Sequence, residues 1–188
     1  MTSPSTERDV VDVLTSDHAE VIDLISQIHA SADAEQRRDL ADTMISELVR
    51  HSVAEEMFVY PAMRKHLPDG DAAVDHDVQE HKQLEQLMKD LEGLAADEPR
   101  FDLVLGQIEV VLEDHVQDEE HKQFPQLRRS VPREELVEMA AQVEAAKLVA
   151  PTRPHPGAPN NQLFHLLAGP GVGLVDRLRD AISGRSNG

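Results

Sequence analysis

The chain has 188 residues, of which 40% are hydrophobic and only 3% aromatic, a composition that suits one helical domain with some extension and disfavours β-rich folds. Its 36 acidic and 18 basic residues give a formal charge of -18, which repels phosphate backbones and anionic lipids, so neither a nucleic acid nor a membrane is expected as a partner. Cysteine is absent, which excludes disulfides and thiolate metal sites, and with no visible secretory signal or long apolar run we expect a cytoplasmic protein.

Four long segments carry apolar residues at alternating intervals of three and four positions, which is the period of an amphipathic helix. They cover about residues 8–31, 34–66, 71–95 and 100–130. The connections between them are short, and short connections between long helices favour antiparallel neighbours. The sequence therefore predicts an all-α fold, an up-down-up-down four-helix bundle.

The chain beyond the fourth segment is predicted to add smaller elements to this bundle. The bundle domain is placed at residues 8–131, and a shorter fifth helix at 132–150, with a proline suited to its first turn. Residues 151–188 are predicted to be an irregular Pro/Gly-rich linker that ends in a short amphipathic helix. We expect this tail to fold back onto the bundle; a contact with a protein partner or a second copy is the alternative.

Two parts of the chain repeat one pattern. HSVAEEMFVYP begins at His51 and HVQDEEHKQFP begins at His115, and both read H-x-x-x-E-E-x-x-x-[YF]-P, 64 residues apart. A second match places His18 over His81, 63 residues on, with the apolar neighbours in register. The first two helices therefore resemble the last two, which predicts a pseudo-twofold arrangement if the halves pack together.

Six polar residues interrupt the apolar stripes of these four helices. A carboxylate that faces a bundle core without a partner costs on the order of several kcal/mol, and no Lys or Arg lies on the stripes nearby. Imidazole and carboxylate are ligands for transition metals, and residues four apart lie one turn apart on one helix face. Each piece alone is a weak signal, but together they predict a site for two metal ions with the ligands His18, His51, Glu55, His81, His115 and Glu119.

This set of motifs resembles the hemerythrin-like family, specifically its HHE cation-binding type. The resemblance rests on Asp17-His18, His51–Pro61, Glu80-His81 and His115–Pro125. It implies a four-helix bundle around a non-haem di-iron centre, with two iron ions per chain joined by carboxylates and an oxygen bridge. By the same resemblance the four histidines are terminal ligands, and the bridges are Glu55 and Glu119.

The third helix departs from the pattern of the oxygen-carrying members of that family, which place two histidines four residues apart. Here His76 and His81 are five apart, which turns them about 140° from each other, so His76 is only a candidate extra ligand. Without His76, each metal keeps an open position, which favours peroxide binding across the pair. With His76, a single open position would favour end-on binding of O2.

Residues beside the motif are given structural roles. Glu56 and Glu120 point about 100° away from the preceding glutamates and are predicted to be solvated. Tyr60 matches Phe124 in the repeat, which favours a shared packing role. The prolines that follow are predicted to break or kink their helices just beyond the ligands.

The function expected from these observations is that of a di-iron protein that binds or reacts with O2, peroxide or NO. Catalase-like peroxide breakdown is favoured. The alternatives are a reversible O2 or redox sensor without turnover, and a metal-stabilised interaction module that holds zinc. A ferritin-like carboxylate oxidase is disfavoured because the Glu-x-x-His motif of that class does not occur in the chain.

Overall fold

A computed structural model describes residues 7–156, and every regular element in this range is helical. The elements are α1 (Val10–Ala30), α2 (Ala34–Ala54), α3 (Tyr60–His66), α4 (Gly70–Glu92), α5 (Pro99–Asp118), α6 (Phe124–Ser130) and α7 (Arg133–Val149). The predicted all-α bundle with a shorter fifth helix is confirmed. None of the described helices is long and apolar enough to cross a membrane. The predicted tail helix lies outside the described residues.

Side-chain caps fix where the first helix begins. Asp9 accepts a bond from the backbone N–H of Asp12, and the Asp12 carboxylate accepts one from the N–H of Asp9, which makes a reciprocal capping box. The buried Asp9 carboxylate also accepts two bonds from Arg128 of α6, at 2.7 and 3.0 Å. These bonds hold the start of α1 against α6.

Each half of the chain contains one π turn, and both occur at the same place in the repeat. Glu55–Val59 separates α2 from α3, and Glu119–Gln123 separates α5 from α6. A π turn closes its backbone hydrogen bonds over one residue more than an α-helical turn does. The proline that follows lies in the first turn of the next helix, where its missing N–H costs little. The predicted break at the prolines thus takes the form of a π turn rather than a helix end.

The apolar core consists of two clusters that lie at opposite ends of the bundle. One contains Leu14, Val59, Val74 and Phe124 and packs against α7. The other contains side chains from the remaining halves of the long helices, among them Ile25, Leu48, Leu84 and Leu112. On each long helix the predicted polar residues lie at or directly beside the boundary between the two clusters.

Gly70 allows α4 to begin in direct contact with the backbone of α3. A Cβ added at Gly70 would lie 2.2 Å from the carbonyl oxygen of Met63 and 2.9 Å from the Cα of Arg64. Because backbone cannot move aside as a flexible side chain can, we expect Gly70→Ala to lower the free energy of unfolding by about 2 kcal/mol. The matched control is Gly106→Ala in α5, where an added Cβ has nothing within 4 Å and should stabilise the helix by up to about 1 kcal/mol. Urea unfolding of both variants tests this, and equal effects would contradict the packing described for α4.

Candidate metal centre

The six residues predicted from the sequence meet in one buried layer between the two apolar clusters. The four histidines come from α1, α2, α4 and α5, and the two glutamates come from the first residue of each π turn. All six are at most 5% exposed. The ligand atoms form two groups in which all members lie within 4.8 Å of one another: His18, His51, Glu55 and Glu119 in the first, and Glu55, His81 and His115 in the second.

The glutamates lie between two histidine pairs, His18 with His51 and His81 with His115. Oε2 of Glu55 is 3.1 Å from Nε2 of His51 and 3.4 Å from Nε2 of His81. Oε2 of Glu119 is 3.2 Å from Nε2 of His18 and 3.5 Å from Nε2 of His115. Each glutamate therefore contacts one histidine of each pair, the position that a carboxylate shared between two metal ions would occupy.

The outer nitrogen of every histidine is held by a second carboxylate. These bonds orient the rings and direct the Nε2 atoms to the common centre, as the outer partners of metal-bound histidines do. The pairs are His18 with Glu120 at 2.8 Å, His51 with Asp17 at 3.4 Å, His81 with Glu56 at 3.2 Å and His115 with Glu80 at 2.9 Å. All four carboxylates belong to the repeated motifs, since Asp17 and Glu80 precede His18 and His81, and the other two follow Glu55 and Glu119.

The donor set fits a cation. An ionised carboxylate only accepts, so an Nδ1 bonded to one carries the proton, and the Nε2 of a neutral ring then carries a lone pair. The Nε2 atoms of His18 and His51 lie only 3.2 Å apart. The carboxylate oxygens of Glu55 and Glu119 are buried and make no hydrogen bond of good geometry. Lone pairs and buried carboxylates that converge in this way repel each other unless a positive charge lies among them.

In the metal-free protein, protons supply part of that positive charge. Burial lowers the pKa of His51, but the carboxylates of Glu55, Asp17 and Glu119 together outweigh burial, and the pKa rises to about 10. The pKa of His81 also rises to about 10, because Glu55 and Glu56 outweigh the effect of burial. The pKa of Glu55 is well below its ordinary value, since His51 and His81 outweigh its desolvation. Metal ions would compete with these protons for the same nitrogens.

The prediction that Glu56 and Glu120 are solvated is wrong. Their side chains are only 20% and 29% exposed, and each bonds a histidine from the other half of the bundle. Successive residues of a helix are about 100° apart, which places Glu56 and Glu120 off the core face of their own helices. Helix geometry does not predict that a histidine of a neighbouring helix contacts them. The repeated pair of glutamates was the signal that could have revealed this role.

The aromatic residues of the repeat, which were predicted to share a packing role, each stack on a histidine. The ring of Phe124 stacks on His18, with centroids 5.9 Å apart, and the ring of Tyr60 stacks on His81 at 5.5 Å. The Tyr60 hydroxyl also lies 3.1 Å from Nε2 of His81. Burial, followed by the charges of Glu55 and Glu119, raises the pKa of Tyr60 well above its ordinary value, so the hydroxyl keeps its proton.

The structure does not bring His76 into either ligand group. Its side chain is 57% exposed, and its Nε2 lies 3.3 Å from Oε1 of Glu80. The spacing of five residues explains this, because it rotates His76 away from the face that carries His81. His76 therefore contacts Glu80, the outer partner of His115, and not the centre itself. Asp17, the outer partner of His51, has a comparable contact with Lys147 of α7 at 2.6 Å.

Sequence reasoning missed one further buried carboxylate. Asp77 is fully buried one turn before His81, and its oxygen accepts a 2.9 Å bond from Gln123. Burial raises the pKa of Asp77 to about 6 despite the bond from Gln123, so the group is ionised at neutral pH. Its position on the apolar stripe between Val74 and His81 was the available signal.

The roles of Glu80 and His76 can be separated by substitution. We expect Glu80→Ala to weaken transition-metal binding by about tenfold or more, because His115 loses the partner that orients it. His76→Ala should have a much smaller effect, since it touches only the far oxygen of Glu80. Competition with a chromogenic chelator measures both affinities. A larger loss from His76→Ala than from Glu80→Ala would show that His76 is a ligand after all.

Comparisons with known proteins identify a family, relatives and a solved structure of similar fold. A family model described as the hemerythrin HHE cation binding domain matches residues 9–127. An uncharacterized hemerythrin-like protein of Schizosaccharomyces pombe is 30% identical over 172 residues, which cover 91% of this chain and 85% of the yeast protein. A solved structure, a hemerythrin HHE cation binding domain-containing protein from Mycobacterium kansasii described as an Rv2633c homolog, is similar in fold. Its TM-score is 0.64 at 23% identity, with 89% of this chain and 98% of that chain covered.

A protein of Nostoc named DNA nickase is 26% identical over 145 residues. The match covers 77% of this chain but only 41% of the Nostoc protein, so the chain spans less than half of that relative.

Proposed function

Because the chain belongs to the hemerythrin HHE cation-binding family, we propose that its buried centre holds two iron ions and breaks hydrogen peroxide down to water and O2. The observation that carries this proposal is the donor set, in which two histidines lie in each group and Glu55 belongs to both groups. Glu119 belongs to the first group and also lies 3.5 Å from Nε2 of His115 in the second. An iron pair would supply the two-electron cycle in which one peroxide is reduced to water and a second is oxidised to O2.

The donor chemistry supports iron. The set consists of imidazole and carboxylate with no thiolate, which suits iron and other metals of the first transition series. Because His76 stays outside both groups, neither metal would gain a further histidine, and the residues that would hold the metals would leave positions for a small molecule. This supports peroxide as the small-molecule partner over end-on binding of O2 at one metal.

The chain's own residues hold the centre and keep it dry. The outer carboxylates fix the orientation of the histidine rings, and the two apolar clusters cover the layer on both sides. A cavity of about 30 Å³ reaches His81 from beneath Pro151 and His155. A cavity of this size has room for one molecule about as large as water, and Glu56, the partner of the outer nitrogen of His81, also lines it.

The similarity to the protein named DNA nickase does not lead us to propose a nucleic-acid substrate. The formal charge of -18 opposes the approach of a phosphate backbone.

Oxygen release measured with an electrode tests the proposal. We expect the iron-loaded protein to release one O2 for every two molecules of peroxide consumed, and His115→Ala to lose most of this activity. The matched control is His29→Ala, an exposed histidine whose contact is with Glu109, and it should keep the activity. A stable, reversible complex with O2 and no turnover of peroxide would contradict the proposal and indicate O2 binding or sensing. Purified protein that holds zinc and gives neither response would indicate a metal-stabilised interaction module.

A further inference from the structure

A buried polar pair lies beside the metal centre on one side only. Asp77 of α4 is fully buried, and its Oδ1 accepts a bond from Nε2 of Gln123, which is itself 7% exposed. Neither Oδ2 of Asp77 nor Oε1 of Gln123 has a hydrogen-bond partner among the described residues. The pair therefore offers two buried acceptor atoms that have no partner among the described residues.

The position of Asp77 is close to the centre without being part of it. One Asp77 oxygen lies within 4.8 Å of ligand atoms of His115 and Glu80. Asp77 is absent, however, from the group formed by Glu55, His81 and His115. Asp77 therefore shares only His115 with that group and lies at the edge of the centre, where it can contact a small molecule held there.

The internal repeat shows that the fold does not need this pair. The residues at the equivalent positions of the first half are Leu14 and Val59, and both are fully buried and apolar. A buried carboxylate with an unsatisfied oxygen costs free energy that a leucine does not. The second half therefore carries a polar pair at positions that apolar side chains fill in the first half.

We propose that Asp77 and Gln123 form a subsite that accepts hydrogen bonds from a protic small molecule and positions it on the His81–His115 side of the centre. This inference rests on the proposed function. It identifies the molecule as hydrogen peroxide, because the two O–H groups of peroxide match the two acceptor atoms that have no partner. O2 and NO carry no hydrogen and gain nothing from these atoms. An anion without hydrogens is repelled by the Asp77 carboxylate.

The experiment compares Asp77→Asn with the natural protein, both loaded with iron, using two probes. Azide is the anionic probe, and its binding is measured from the optical spectrum without any turnover. We expect Asp77→Asn to bind azide about fivefold more tightly, because the repelling charge is removed. The same substitution should raise the KM for peroxide about tenfold, with a smaller change in kcat, because an acceptor for its O–H group is lost.

These opposite directions separate positioning from a merely structural role. Asp75→Asn is the matched control, since Asp75 is exposed on the same helix and pairs with Arg64, and it should change neither value. Gln123→Val, which copies Val59, should also raise the KM for peroxide. Weaker binding of both probes to Asp77→Asn, or no change in either, would overturn the inference. If the natural protein does not turn peroxide over, the proposed function fails, and the azide titration still decides whether Asp77 faces the bound molecule.

Discussion

Removal of the bound metal ions is expected to lower the melting temperature of the protein by at least about 10 °C. In the metal-free protein, the raised pKa of His51 and of His81 lets protons offset part of the charge of the fully buried Glu55 and Glu119, and the uncompensated part opposes folding. Metal ions that bind only the folded chain add about 4 kcal/mol for each site at a free concentration one thousand times the Kd. Calorimetry of the loaded protein and of the same sample after chelation measures the difference.

The control for this result is a variant that cannot hold the metals. Chelation should change the melting temperature of Glu119→Gln far less than that of the natural protein. Equal melting temperatures for the loaded and the stripped natural protein would contradict a buried metal centre.

Substitution of either bridging glutamate is expected to weaken the binding of both metal ions by about one hundredfold or more. Glu55→Gln keeps the size of the side chain but removes a charge that lies between His51 and His81, one histidine from each pair. Glu119→Gln should behave in the same way, because its carboxylate lies between His18 and His115. Isothermal titration of the metal-free variants with a divalent metal measures both affinities.

Histidine substitutions provide the comparison. His51→Ala and His115→Ala should each weaken mainly one of the two binding steps, and to a similar extent, because each histidine belongs to one pair only. If a glutamate substitution affected a single step while the other stayed at its natural affinity, that glutamate would not be a bridge.

Helical periodicity and the internal repeat were enough to predict the all-α bundle. They also predicted six residues that the structure brings together in one layer, because a buried polar residue on an apolar stripe is visible in a single sequence. The outer carboxylates were harder to predict, since Glu56 serves a histidine of α4 and Glu120 a histidine of α1. Contacts between helices of this kind depend on packing that helix geometry alone does not specify.

The π turns and Asp77 show two other limits. A proline in a helix predicts a disturbance, but the widening of the turn ahead of Pro61 depends on how the chain accommodates the missing N–H. The residue equivalent to Asp77 in the first half of the repeat is the apolar Leu14. A comparison of the two halves therefore does not single out Asp77.

The iron content of the purified chain tests the central claim most directly. Protein loaded anaerobically with ferrous iron, freed of unbound metal and analysed by mass spectrometry for metals should contain two iron ions per chain. Glu55→Gln treated in the same way should retain far less. A natural protein that retains one ion or none, or a Glu55→Gln variant that still retains two tightly held ions, would contradict the proposed carboxylate-bridged pair.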